Sequence, residues 1–163
     1  FDHLHFAALY PKKLSADALW ESLNSVLGQM QLGQQFRPQG PGARFAGRFG
    51  LEGQFKETFE YDPSTRSDEI EGSVPQALML MNNPQINQKV RANGDTILAR
   101  ILNSHSNNDD ALKMLYLRTL ARKPTTRELE TCREHIAGVG SRGEAFEDIL
   151  WSLINSTEFQ TKR

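Results

Sequence analysis

At 163 residues with a formal net charge of −1, the chain has room for one hydrophobic core without staples, and it offers no global field for nucleic acid or an anionic membrane. Hydrophobic residues make up 38% and charged residues 24%, a balance that predicts a folded core with some polar loops rather than disorder. Cys132 is the single cysteine, which excludes an intrachain disulfide and any zinc site built on paired thiolates, and no apolar run approaches the roughly 20 residues of a transmembrane helix.

The first fourteen residues read as a lead-in, broken by Pro11, Lys12 and Lys13. Ser15 has the chemistry of an N-cap and Asp17 faces the helix dipole favourably. Leu19, Leu23, Val26, Leu27 and Met30 share a face, which predicts a helix from about Ser15 to Gln31 that ends near Gly33. From Gly33 to Tyr61 there is no helical period. Glycines, Pro38 and Pro41 alternate with Phe36, Phe45, Phe49, Phe55 and Phe59, which predicts a long crossover loop pinned to the core by its rings. Phe55, Glu57 and Phe59 alternate with polar residues in a way that permits a short strand.

Ser73 precedes Pro75, a first-turn residue, and Ala77 to Met81 follow without a polar side, so a short helix covered all round is expected. Asn83 and Pro84 restart the chain as a second short helix to about Arg91. After Gly94 and Asp95, Ile97, Leu98, Ile101 and Leu102 make a third. Asn108 is placed to cap a helix from about Asp109 to Arg122, with Leu112, Leu115, Tyr116 and Leu120 on one face. Met114 and Leu117 extend its apolar surface, so it reads as central, and Pro124 stops it. Thr125 with Glu128, and Ser141 with Glu144, have the spacing of capping boxes. They open helices running to about Ala137 and about Asn155, the last carrying Phe146, Ile149, Leu150, Leu153 and Ile154 as a core stripe. The expected fold is one all-α domain over 1–163: an irregular helical domain with a C-terminal antiparallel three-helix unit and a long Gly/Phe-rich crossover loop.

Three blocks carry a family likeness: LSADALWESLNSVLG at Leu14 to Gly28, TRSDEIEGSVPQALMLMNN at Thr65 to Asn83, and Leu115 to Phe159, with LYLRTLARKPTTREL followed by EDILWSLINSTEF. Together they cover about half of the chain and resemble the C-terminal domain of large planctomycete and verrucomicrobial proteins, the domain of unknown function 1553 family. The resemblance implies a larger multidomain parent outside the cytoplasm, in which a c-type haem module can stand elsewhere. No CxxCH occurs in this segment, so neither haem nor any other cofactor is expected in it. The family brings no catalytic residues to carry over. The third block also resembles helical modules of linker proteins, which favours a binding role.

Among chemistry-bearing residues, Asp62, Asp68, Glu69 and Glu71 surround Arg66. Such a cluster can bind a cation or supply an acid–base pair; equally it is a solvated loop neutralised by Arg66 or a set of charges favouring the helix near Pro75. Arg66, Asp68, Glu69 and Glu71 are the candidate binding residues. His3 and His5 do not complete a metal site, His105 reads as a loop residue, and His135 lies on an amphipathic helix. Cys132, near Leu129 and Ile136 on a helical face, reads as a core thiol. Arg37, Arg44 and Arg48 interleave with phenylalanines, a mix that stacks on single strands but anchors a glycine-rich loop just as well; at net charge −1, anchoring is favoured and no nucleic acid is expected. Trp20 and Trp151 lie at stripe edges, and Asn82, Asn83 and Asn87 are explained by caps and turns. The functional expectation is a noncatalytic interaction or scaffolding module of a larger extracytoplasmic protein, with other domains of its chain or protein partners as ligands. The alternative is a hydrolase or polysaccharide-processing accessory using the acidic block Asp62 to Glu71.

Overall fold

The computed structural model describes residues 12–30, 50–60 and 74–162, and they form an all-α domain. A two-residue strand β1 (Lys12–Lys13) leads into α1 (Ala16–Leu27). There follow α2 (Leu51–Phe59), α3 (Val74–Asn82), α4 (Pro84–Val90) and α5 (Ile97–Ser104). The last part holds α6 (Asn108–Leu120), α7 (Thr126–Val139), α8 (Arg142–Ile154), the single turn α9 (Thr157–Gln160) and β2 (Thr161–Lys162). The strands pair antiparallel, Lys12 opposite Lys162 and Lys13 opposite Thr161, so the last residues of the segment read as a lead-in are paired with the C-terminal end of the described chain. No helix among the described residues is long and apolar enough to cross a membrane.

Ser15 caps α1 as its chemistry requires, accepting from the Ala18 N–H at 3.3 Å. The helix ends at Leu27, earlier than the apolar stripe suggests. Gly28 adopts φ 83° and ψ 157°, a conformation closed to L side chains, and turns the chain out of the helix. Met30 is still buried, because the Asn24 side chain accepts from its N–H at 2.8 Å and folds the chain back onto the core. Stripe continuity was therefore a poor guide to helix length. A cation for the C-terminal carbonyls of α1 comes from another helix: the Arg118 guanidinium of α6 donates to Val26 O at 3.0 Å and to Ser25 O.

The strand suggested around Phe55 and Phe59 is instead helix α2. A four-residue spacing satisfies a period of two and a period of 3.6 alike, and here the helix wins because it stacks the two rings at 4.3 Å between centroids. Trp20 of α1 closes on Phe55 at 5.2 Å, so the stripe-edge tryptophan is a core residue. The parts of the crossover at 33–49 and 61, with Phe36, Phe45 and Phe49, lie outside the described residues, as do His3 and His5.

Two expectations of enclosure are corrected. In α3, Leu80 is buried but Met81 is 54% exposed, so that helix has an open side. Met114 and Leu117 are each 41% exposed, so α6 buries one face and leaves a second in solvent. Its N-cap is Asn107, one residue before the expected Asn108. The Asn107 side chain accepts from the N–H groups of Asp109 and Asp110, while Asn108 Oδ1 accepts from Arg142 Nε at 2.8 Å. The helix stops at Ala121, which sits in the left-handed region at φ 55° ahead of Pro124.

Helix α8 is the hub, touching α4, α5, α6, α7 and α9. Phe146, Leu150 and Ile154 are almost wholly enclosed. Polar side chains fix its neighbours: Glu147 accepts from the Ala92 N–H at 2.7 Å and from Arg91 at 3.1 Å, and Arg142 donates to the carbonyls of Leu102 and His105 at the end of α5. This arrangement sets α7 and α8 side by side with α6 beneath their seam.

Candidate binding groove

The start of α7 is set by the capping box: Thr125 Oγ1 accepts from the Glu128 N–H, and Glu128 accepts from the Thr125 N–H at 2.7 Å. At the start of α8 only half of the equivalent device forms, Ser141 accepting from the Glu144 N–H. With its first turn fixed, α7 presents Arg127, Thr131 and His135 at four-residue steps along one edge, and Cys132 beside them. Helix α8 presents Asp148, Ile149, Ser152 and Leu153 opposite. Between them lies a groove of about 510 Å³. Its floor is made of the buried Tyr116, Cys132, Ile149 and Leu153; its rim is exposed and polar, with Thr125, Arg127, Thr131, His135, Asp148 and Ser152.

The Tyr116 hydroxyl lies 3.8 Å from Cys132 Sγ in the floor. Burial pushes both groups up, so each stays protonated in neutral solution. At one end Arg122 makes two parallel bonds to Glu128, at 2.9 and 2.7 Å, two more to Glu158 of α9, both at 2.7 Å, and lies 5.7 Å over the Tyr116 ring. Arg122 chiefly, and the Thr125 bonds after it, hold the Glu128 carboxyl down at about 2. At the other end His135 Nε2 lies 3.1 Å from Asp148 Oδ2.

Cysteine, histidine, aspartate and serine around one groove are the residue types of a nucleophilic relay. They are not wired as one. The Cys132 thiol faces Tyr116, Ser152 donates to the backbone carbonyl of Asp148 at 2.9 Å, and the bond of His135 goes to the Asp148 carboxylate. Neither nucleophile is hydrogen-bonded to the imidazole. No group of three or more His, Cys, Asp or Glu side chains among the described residues could hold a metal ion.

The candidate binding residues Arg66, Asp68, Glu69 and Glu71 fall in 61–73, outside the described residues. Cys132 is the buried thiol its helical face suggests. His105 caps α5, Asn83 caps α4, and Asn87 donates to Met81 O, all structural duties. The groove itself went unread, since it depends on which turn of α8 lies across from which turn of α7. A polar edge of Arg127, Thr131 and His135 beside the Leu129–Cys132–Ile136 stripe was the available signal.

No curated protein and no solved structure matches the chain. The family model of the protein of unknown function DUF1553, PSD1, matches residues 2–136, most of the chain, and ends within α7. The EDILWSLINSTEF block of α8 and α9 lies beyond the matched residues. The chain belongs to the DUF1553 family.

Proposed function

We propose that this domain is a noncatalytic interaction or scaffolding module of a larger extracytoplasmic protein, holding other domains of its parent chain or separate protein partners. The observation that supports this reading most is the groove between α7 and α8, an apolar floor beneath a polar rim. The charges agree with it. Asp95, Asp109 and Glu128 are all held below their ordinary range, first of all by hydrogen bonds from Arg100, Arg133 and Arg122 respectively. Acid–base chemistry on paired carboxylates calls for one of them to be held up. The thiol likewise lacks the electropositive setting that makes a cysteine reactive.

A photo-reactive residue placed at Ser152, on the groove rim, tests the reading in the intact natural chain. It should yield one dominant cross-linked peptide, while the same residue at the exposed Arg100 of α5 should not. Equal, diffuse labelling from both positions would contradict the proposal.

A further inference from the structure

The rim of the groove spends its charges unevenly. Glu128 is taken by Arg122 and Thr125, and Asp148 faces His135. Arg127 is exposed and makes no ion pair or hydrogen bond with the described residues. A ligand approaching the seam therefore meets an available guanidinium at one end, while the rim's own carboxylates are already engaged. Between the ends, the Thr131 hydroxyl makes no bond to the described residues. The Ser152 oxygen donates its proton to the Asp148 carbonyl and so keeps its lone pairs free to accept.

The dimensions fit an extended chain. From Arg127 through Thr131 to His135 the α7 wall runs about 12 Å, at about 1.5 Å per residue. An extended peptide covers that length with roughly four residues. The buried ring of Tyr116 with Ile149 and Leu153 offers the floor a large apolar side chain would cover.

We infer that this groove docks a linear peptide segment that sets one large apolar side chain on the Tyr116–Ile149–Leu153 floor and one carboxylate against Arg127. The inference rests on the interaction-module reading and supplies the chemistry of the partner. Rim charge selects among partners, and the apolar floor supplies the sequence-independent part of the affinity.

The test uses two fluorescein-labelled, amide-capped peptides, Asp-Leu-Phe-Gly and Lys-Leu-Phe-Gly, measured by fluorescence anisotropy, with amide shifts mapping the site. The acidic peptide should bind about 3- to 10-fold more tightly, as an exposed ion pair exchanged for a like-charge contact allows, and added salt should shrink the difference. It should shift the amides of Thr131, Ser152 and Leu153. Arg127→Glu should reverse the order of the two peptides without moving the thermal melt, since Arg127 is exposed. Equal binding of both peptides, binding of neither, shifts elsewhere on the surface, or an unchanged order in Arg127→Glu would each overturn the inference. Cross-linking from Ser152 is blind to the partner's charge, so it judges the interaction-module reading separately.

Discussion

Arg122 and Glu128 face each other as a fork, Nη1 to Oε2 at 2.9 Å and Nη2 to Oε1 at 2.7 Å, and the same guanidinium reaches back to Glu158. The turn after α6 and the capping box of α7, neighbours in sequence, are thus tied together and to the distant terminal turn α9. Because the folded carboxyl of Glu128 titrates at about 2 against an ordinary 4.5, its contribution is fully present above the ordinary value and is lost as pH falls towards 2. Glu128→Gln should therefore lower stability by about 1 kcal/mol near neutrality, with the gap to the parent closing in acid. A larger effect is not expected, because both side chains are about a third open to water, at 32% and 31%. Urea titrations at several pH values would check both the size and the sign.

Two backbone positions make the same demand, a positive φ, and answer it with different residues. At Gly28, φ 83° with ψ 157° is the source of strain for any side chain, while the space itself is ordinary, a Cβ meeting Ile97 Cγ1 at 3.5 Å. Gly28→Ala should destabilise the fold by about 1–3 kcal/mol. Ala121 already carries a side chain at φ 55°, so Ala121→Gly should be neutral or stabilising by up to about 1 kcal/mol, the relief of strain being partly offset by the freer unfolded chain. Paired denaturation curves should show Gly28→Ala lowering stability and Ala121→Gly leaving it unchanged or raising it.

Leu150 lies 2% exposed in the core, on the hub helix that packs against α6. Leu150→Ala should cost about 2–5 kcal/mol. A midpoint unchanged within error would mean that the hub does not depend on this stripe.

Lacking a haem attachment motif and paired thiols, the purified segment should carry neither haem nor stoichiometric zinc. Absorbance in the haem band and elemental analysis would each expose an error.

The helices were legible wherever a cap and a stripe agreed. Ser15, Asn83 and Thr125 announce α1, α4 and α7, and the α8 stripe reports its own burial, because those signals are local. What failed depended on distant contacts. The α1 stripe runs past Gly28 since Met30 is buried by a fold-back rather than by helix, and Phe55 with Phe59 fits two periods until Trp20 is brought up to them. Met114 and Leu117 look like core in one dimension, and only the number of neighbouring helices decides that they face out. The groove is of the same kind. Cys132 could be read as a core thiol from its helix alone, but its phenol partner, and the pairing of His135 with Asp148 across the turn after α7, required the register of α7, α8 and α6.

The most direct measurement of an interaction role is the cross-link from Ser152 in the intact natural chain, repeated with Thr131→Trp, which fills the groove from the opposite wall. A docking groove predicts one dominant cross-linked peptide that disappears in the Thr131→Trp chain while its thermal melt stays at the parent value. The same cross-link persisting in the filled groove, or diffuse labelling in both chains, would contradict it.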